Sequence, residues 1–220
     1  MADKSFLSWP FFDAEHAERA AALEAWASDN LGGIDHSDTD AACRALVTAL
    51  GRDGWLQHSG AAAGQALDVR TLCLIRETLA RHDGLADFAF AMQGLGTGAI
   101  SLFGTPDQQA HWLPLTRSGQ AISAFALTEP QSGSDVANST MSATRDGDHY
   151  VLNGEKTWIS NGGIADVYTL FARTGEAPGA RGLSAFIVTP DLPGFDVTER
   201  LDTIAPHPLA TLRFADCRIP

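Results

Sequence analysis

Residues 105–127, TPDQQAHWLPLTRSGQAISAFAL, contain the point at which the apolar pattern of the chain changes. Thr105 is followed at once by Pro106 and three residues later by Gln108, and this combination predicts a helix that begins with a capping box. After Gly119 the apolar residues alternate with small and polar ones, as is typical of a β-strand, and the first strand is predicted over 121–127. The helical pattern therefore ends near residue 118.

Upstream of this point, four more helices are predicted. Three are amphipathic, over 13–30, 41–50 and 67–82. The fourth, over 84–103, is apolar on most sides, which is typical of a buried central helix. It contains Gly94-Leu95-Gly96-Thr97-Gly98-Ala99, which formally matches a dinucleotide-binding fingerprint, but a helical run rather than a strand precedes it. Close packing of this helix is therefore the preferred interpretation.

Downstream, the alternating pattern predicts strands at 121–127, 140–145, 149–152, 157–160, 167–172, 183–188 and 209–214. Asn153-Gly154 predicts a two-residue hairpin turn between the third and fourth of them. Short strands at this spacing are typical of a small antiparallel barrel or sandwich. The sequence thus predicts an α+β fold, with an all-α domain over 1–118 and a β domain over 119–220.

The composition restricts the classes of partner. The 220 residues include 27 acidic and 15 basic ones, a net charge of -12. So acidic a chain has no general attraction for phosphate backbones, which argues against nucleic acid as a partner. The three cysteines are far apart, and we expect a reducing, cytoplasmic environment without a signal peptide. No apolar run is long enough to predict a membrane span.

Neither the histidines nor the arginines predict a site of their own. The seven histidines show no ligand spacing, so no metal site is predicted and most of them are expected to be solvated. Arg70, Arg76 and Arg81 are expected on an exposed face of their helix.

Residues 125–135, FALTEPQSGSD, begin as a strand and break at Pro130. The small residues after the proline leave the backbone open to a ligand. Their N–H groups and the hydroxyls of Thr128 and Ser134 suit an anionic group such as a pyrophosphate. Taken alone, the stretch is explained at least as well by a surface turn capped by Asp135.

Residues 151–163, VLNGEKTWISNGG, carry Trp158 and, two residues later, Ser160. This spacing predicts that both lie on one face of a strand. An indole next to a hydroxyl suits a planar heteroaromatic ligand. The alternative is a tryptophan that fills the core of the β domain.

Together these segments resemble the acyl-CoA dehydrogenase family, and the resemblance extends over essentially the whole chain. The motifs that carry it follow one another in the family's order: Gly94–Gly98, 103–105, 108–109, 112–114, Gly119, 128–130, 133–135, 153–156, 158–160 and 214–220. The resemblance implies an FAD-dependent oxidoreductase of fatty acid metabolism that removes the α proton and the β hydride of an acyl-CoA thioester to give the trans-2-enoyl-CoA. The partners it implies are acyl-CoA, an electron-transfer flavoprotein-like acceptor, and either further copies of the chain or a complementary C-terminal subunit.

The resemblance also implies which residues bind the cofactor: Phe125, Leu127, Thr128, Gly133, Ser134, Trp158, Ile159 and Ser160. Thr128 would hydrogen-bond the flavin ring, and Gly133 and Ser134 would contact the pyrophosphate. Ser134 would also lie near the pantetheine of the substrate. Trp158 would lie against the isoalloxazine, and Ser160 would donate to its N5/O4 edge.

Three features depart from the family pattern. Gln131 is larger than the usual residue after the proline, and Ser160 stands where threonine is frequent. The family continues into a helical C-terminal domain with the catalytic glutamate, whereas this sequence ends at Pro220, so that domain is expected to be missing and no catalytic residue is predicted here. The alternatives are a subunit of a split enzyme, a non-catalytic module that binds flavin or acyl-CoA, and a flavin oxidase or monooxygenase of the same architecture.

Overall fold

The computed structural model describes residues 3–175 and 177–220. Five α-helices form the first half of this described part: α1 (Ala14–Asn30), α2 (Thr39–Arg52), α3 (Val69–His82), α4 (Gly84–Phe103) and α5 (Pro106–Arg117). All five helices predicted from the sequence are confirmed, with small differences at the ends of α2 and α3. Short 3₁₀ turns at Ser5–Ser8 and Trp55–His58 complete this half.

Local capping explains where the helices begin. The carboxylates of Asp38, Asp68 and Asp83 accept hydrogen bonds from backbone N–H groups in the first turns of α2, α3 and α4. At α5, Thr105 and Gln108 form the predicted capping box, in which each side chain bonds the backbone N–H of the other residue.

Helix α4 is central but not buried on all sides. One side packs on α2, α3, α5 and the first strand. On the other side Leu95, Leu102 and Phe103 are 47%, 67% and 85% exposed. The expectation of a fully buried helix is therefore wrong for its C-terminal half, because the neighbouring elements cover only part of its surface.

The second half of the described chain is one curled sheet of seven strands: β1 (Ser123–Ala126), β2 (Ser142–Asp146), β3 (His149–Ser160), β4 (Val167–Arg173), β5 (Leu183–Val188), β6 (Phe195–Arg200) and β7 (Leu209–Ile219). The strand order is β1-β4-β2-β3-β7-β6, with β5 paired to β4. The α+β class is confirmed, although the sheet is mixed because β1 runs parallel to β4. Strand β6, which was not among the predicted strands, pairs with β7 and is largely exposed.

The predicted hairpin at Asn153-Gly154 is wrong. Strand β3 continues through both residues, and the chain reverses at 147–148, between the paired residues Asp146 and His149. Asn153 instead lies at an irregularity in the pairing of β3 with β7. Its side chain there donates to the carboxylate of Asp216 and accepts a hydrogen bond from the backbone N–H of Asp216.

A buried polar network joins the helices to the sheet. The Gln93 side-chain oxygen on α4 accepts from the backbone N–H of Ser123 on β1 at 2.8 Å. Asn161, just after β3, donates to the backbone oxygen of Ser123 at 2.9 Å. The Thr169 hydroxyl on β4 donates to the backbone oxygen of Gly96 at 2.6 Å. The start of β1 and the end of β3 are thus held together against α4.

Candidate functional site

The two sequence segments predicted to bind a cofactor are in direct contact. The chain leaves β1 at Ala126, and the backbone oxygen of Thr128 accepts a hydrogen bond from the backbone N–H of Thr157 at 2.9 Å. Trp158 is the next residue of β3. The structure therefore brings the 125–135 segment and the 158–160 segment together.

After Thr128 the chain forms a tight turn. Glu129 and Ser132 exchange both backbone hydrogen bonds, at 2.9 and 3.1 Å, and Pro130 and Gln131 occupy the corner. The Ser132 hydroxyl donates to the backbone oxygen of Asp135 at 2.6 Å, which fixes the next bend.

Gly133 and Ser134 lie at the exposed outer side of this bend. Within the described residues, neither their backbone N–H groups nor the Ser134 hydroxyl makes a hydrogen bond. A Cβ atom on Gly133 would meet no other atom within 4 Å, so the approach to this backbone is open. Unpaired N–H donors in a bend of small residues match what an anionic group needs.

Trp158 does not fill the core. Its side chain is 58% exposed, and its φ of 57° lies in the left-handed region, which a bulky residue rarely adopts. The pairing of β3 with β7 shifts between Lys156 and Ile159, so Trp158 lies in a β-bulge that directs the indole outward. The core-filling alternative is excluded, and the strained backbone marks the position as a candidate site.

The remaining residues that were predicted to bind the cofactor differ in how far they are buried. Phe125 and Leu127 are half-buried, and the Phe125 ring packs on that of Phe171 with centroids 5.0 Å apart. Ser160 is half-buried, and its hydroxyl bonds no described residue. Ile159 is 1% exposed, so its side chain belongs to the core and only its backbone could touch a ligand.

Two buried charged residues lie behind these segments, and the sequence interpretation gave them no role of their own. The Lys156 ammonium lies 2.8 Å from Oε1 of Glu129 and 2.9 Å from the backbone oxygen of Leu127. The Glu129 carboxylate also accepts hydrogen bonds from the backbone N–H groups of Thr140 and Met141. Strand alternation gave no usable signal for Lys156, because Trp158 has the same parity in β3 as the buried Leu152 and is nevertheless 58% exposed.

These contacts change the acidity of both groups. Burial raises the pKa of Glu129, but hydrogen bonds from Lys156 and from the Thr140 backbone lower it by more than burial raises it. The pKa of Glu129 therefore lies below its ordinary value. For Lys156, burial lowers the pKa, and the bond to Glu129 offsets only part of this decrease. Because its oxygens are engaged by this many donors, Glu129 is not available as a proton acceptor for a substrate.

The arginines of α3 and one buried histidine belong to the scaffold. Arg70, Arg76 and Arg81 lie 2.7–3.1 Å from carboxylate oxygens of Asp13, Asp87 and Glu24, respectively. His16 is fully buried, an exception to the expectation that most of the histidines are solvated. Its Nδ1 accepts from the backbone N–H of Asp13 in a capping box at α1, and its Nε2 lies 3.3 Å from Oδ2 of Asp68.

His16 also belongs to a small acidic group. Ligand atoms of Asp13, Glu15 and His16 lie within 4.8 Å of one another. The capping bond to His16 Nδ1 and the Arg70 guanidinium, 3.1 Å from Asp13, account for this group as a helix cap.

Among the helices that the structure describes, none is both long and apolar enough to cross a membrane.

Comparison with known proteins identifies the family. Residues 13–120 match the model of the acyl-CoA dehydrogenase N-terminal domain, and residues 124–217 match that of the middle domain. The chain is 36% identical over 159 residues to mitochondrial isobutyryl-CoA dehydrogenase of Dictyostelium discoideum, a match that covers 71% of this chain and 38% of the relative. It is 34% identical over 223 residues to a probable acyl-CoA dehydrogenase of Mycobacterium leprae (strain TN), covering 96% of this chain and 57% of that protein.

A solved structure agrees with these relatives. The acyl-CoA dehydrogenase from Bacillus anthracis complexed with FAD superposes with a TM-score of 0.82 at 30% identity, covering 100% of this chain and 40% of that one. The chain thus spans between about two fifths and three fifths of the length of these proteins. It belongs to the acyl-CoA dehydrogenase family.

Proposed function

We propose that this chain forms the N-terminal helical domain (1–118) and the middle β domain (119–220) of an FAD-dependent acyl-CoA dehydrogenase. The reaction is the α,β-dehydrogenation of an acyl-CoA thioester to the trans-2-enoyl-CoA. The further partners are an electron-transfer flavoprotein-like acceptor and either copies of the chain or a subunit that supplies a C-terminal helical domain.

The observation that carries this proposal is the pairing of an exposed, strained Trp158 with an open bend of unpaired donors. The backbone hydrogen bond between Thr128 and Thr157 joins the two segments. A planar ring with an anionic tail requires a flat apolar face and, at some distance from it, N–H donors, and this surface offers both. The donor set therefore fits FAD, which the Bacillus anthracis relative contains.

Each residue then has a defined task. Trp158 offers its indole to the isoalloxazine, while the hydroxyls of Thr128 and Ser160 donate hydrogen bonds to the polar ring edge. Gly133 and Ser134 bind the pyrophosphate through their backbone, and Ser134 also contacts the pantetheine of the substrate. Donors fixed at the ring edge favour negative charge there, and bound FAD supplies the two-electron acceptor of the reaction.

No described carboxylate in this site is assigned to the α proton. Glu129 is engaged by Lys156 and by backbone N–H groups, and the carboxylate of Asp135 accepts from the side chain of Asn138. These two residues hold the loop in shape, and we assign proton abstraction to a residue other than these two.

FAD binding to the natural protein, expressed from its complete gene, tests the proposal. Absorbance and flavin fluorescence are followed as FAD is added to the wild type, to Trp158→Ala and to His111→Ala. His111 is an exposed residue of α5 and serves as the control. We expect Trp158→Ala to weaken FAD retention by about tenfold, the loss of roughly one aromatic stacking contact, and His111→Ala to leave it unchanged. Equal effects of the two substitutions would contradict the stacking role.

Addition of acyl-CoA thioesters to the FAD-loaded protein without oxygen tests the reaction. Loss of the oxidised flavin absorbance with at least one thioester is the expected result. Retention of FAD without bleaching by any thioester would favour a non-catalytic binding module. Rapid consumption of oxygen during turnover would favour an oxidase.

A further inference from the structure

The proposed reaction leaves the buried pair of Glu129 and Lys156 without a task. The side chains of these residues are 1% and 0% exposed. Transfer of two opposite charges from water to the interior consumes most of the energy that their attraction returns, so such a pair is a weak explanation for stability alone. Its position relative to the site is more informative.

The pair connects the two cofactor segments from behind. Glu129 directly follows Thr128, and Lys156 precedes Trp158 by two residues. The Lys156 ammonium bonds both the Glu129 carboxylate and the backbone oxygen of Leu127. Together with the Thr128–Thr157 backbone bond, these contacts fix 127–129 against 156–157.

A third residue closes the solvent side of this pair. The Gln131 amide nitrogen donates to Oε2 of Glu129 at 2.8 Å and also contacts the Thr140 hydroxyl. The Gln131 side chain thus folds back onto the carboxylate instead of extending over the open bend at Gly133. The residue that departs from the usual small side chain of the family has a clear structural partner here.

We propose that Glu129, Lys156 and Gln131, here named the clamp, are positioning residues that hold Thr128 and the Trp158 bulge in the relative arrangement that FAD binding requires. The clamp acts through the backbone of the two segments, and none of its members touches the cofactor. This inference rests on the proposed function for its FAD readout, while the order of the Thr157 amide can be measured without FAD.

Four variants of the natural protein separate positioning from simple stability. Lys156→Met and Glu129→Gln each leave one buried group without its charged partner and are expected to lose stability. The double variant Glu129→Gln/Lys156→Met removes both charges and is expected to recover most of that stability. Gln131→Ala removes only the amide that bonds the Glu129 carboxylate from the solvent side, at an exposed position.

The measurements are the thermal unfolding midpoint, hydrogen exchange of the Thr157 amide in the FAD-free protein, the FAD dissociation constant and the visible circular dichroism of bound FAD. In the double variant we expect an unfolding midpoint near that of the wild type. The exchange rate of the Thr157 amide and the FAD dissociation constant should both be about tenfold higher, because one or two positioning bonds are lost. For Gln131→Ala we expect a rise of about threefold in both quantities. The dichroism of bound FAD changes in both variants.

The exposed ion pair between Asp40 on α2 and Arg200 on β6 supplies the control. Asp40→Asn/Arg200→Met should leave Thr157 exchange, FAD affinity and dichroism as in the wild type. Folded clamp variants with wild-type Thr157 exchange, FAD affinity and dichroism would overturn the inference. If the double variant does not fold, wild-type values for Gln131→Ala overturn it. A wild-type protein without FAD affinity would refute the proposed function, while Thr157 exchange would still decide whether the clamp orders the segments.

Discussion

At the scale of single residues, Trp158 is the most informative position in the chain. It combines a positive φ, a mostly exposed indole and a place inside a strand. Holding a bulky side chain in the left-handed region costs about 1–2 kcal/mol. Since this strain gives the fold no visible packing gain in return, it is best explained by the orientation of the indole.

Glycine and alanine at position 158 should reveal this strain. Both substitutions remove the indole, but only glycine adopts a positive φ without steric strain. We expect Trp158→Gly to be more stable than Trp158→Ala by about 1 kcal/mol, measured by urea unfolding. The control is Glu155, exposed in the same strand and without a positive φ, where alanine should be the more stable of the two. Alanine as the more stable residue at 158 would show that the backbone there is relaxed.

The two segments that the sequence singled out lie in contact, but the sequence did not predict this conformation of Trp158. The order Thr157-Trp158-Ile159 is that of a regular strand, and the bulge arises only from the pairing of β3 with β7. The buried role of Lys156 depends in the same way on a partner 27 residues away, Glu129. A contact of this kind leaves no local pattern in the chain.

At the scale of elements, predictions succeeded where the signal lies within one turn of chain. The start of α5 is specified by Thr105 and Gln108 alone, which are three residues apart. The prediction of the hairpin was wrong because two glycine-containing segments could each form the turn. The chain reverses around Gly147, whereas Asn153-Gly154 stays in β3 because the Asn153 side chain is bound to Asp216, 63 residues away in β7.

The packing of α4 against β1 provides a second test. A Cβ atom on Gly96 would lie 2.5 Å from the Ser123 hydroxyl and 2.8 Å from the backbone nitrogen of Ala124, whereas one on Gly98 would meet nothing within 4 Å. We expect Gly96→Ala to lower the free energy of unfolding by about 1–3 kcal/mol through overpacking. Gly98→Ala should raise it by about 0.5–1 kcal/mol, since alanine is the better helix former.

The same two proteins, compared by chemical denaturation, keep the helix propensity change identical and differ only in the contact with β1. Equal effects of the two substitutions would mean that α4 can shift away from the strand. Such an outcome would remove the close-packing explanation of the glycine motif in α4.

Acid should weaken the contact between α1 and α3. Glu24 accepts bonds from Arg81, Lys4 and His82, which hold its pKa well below the ordinary range. Because the folded-state pKa is depressed, the stabilisation is complete above the unfolded-state pKa of about 4.3 and is lost as the pH falls toward the folded-state value. We expect Glu24→Gln to lose about 1 kcal/mol at pH 7, allowing for partial exposure, and to show a flatter decline below pH of about 4.3.

The pH dependence of urea unfolding measures this effect, and Glu18→Gln on the exposed side of α1 is the control. Glu18 makes no ion pair with a described residue, so its variant should keep the wild-type acid limb. A Glu24→Gln curve parallel to that of wild type between neutral and acid pH would contradict the prediction.

At the scale of the whole molecule, the helical and β halves are one body because their polar groups satisfy each other. Gln93 on α4 bonds the backbone N–H of Ser123, 30 residues away, and Thr169 on β4 bonds the backbone oxygen of Gly96, 73 residues away. The sequence indicated two halves with different periodicities, and it carried no signal for these cross-links. The contact between the two site segments is non-local in the same sense.

The surface of the chain predicts how it behaves in solution. Leu95, Leu102 and Phe103 leave an apolar strip on the outer side of α4, and such strips favour association. The net charge of -12 opposes it, and salt screens that repulsion. We therefore expect the 220-residue chain to self-associate with rising concentration, and more strongly at high than at low ionic strength, as measured by light scattering.

Substitutions decide whether α4 is the contact surface. Leu102→Ser/Phe103→Ser should return the chain to a monomer at all salt concentrations, because both side chains are largely exposed and their loss leaves the core intact. Ile204→Ser is the matched control, since Ile204 is fully exposed in the loop between β6 and β7 and is not part of the apolar strip, and it should associate like wild type. A wild-type chain that stays monomeric at high ionic strength would show that the apolar strip is too small to drive contact. Association abolished only by Ile204→Ser would place the contact on the β half instead.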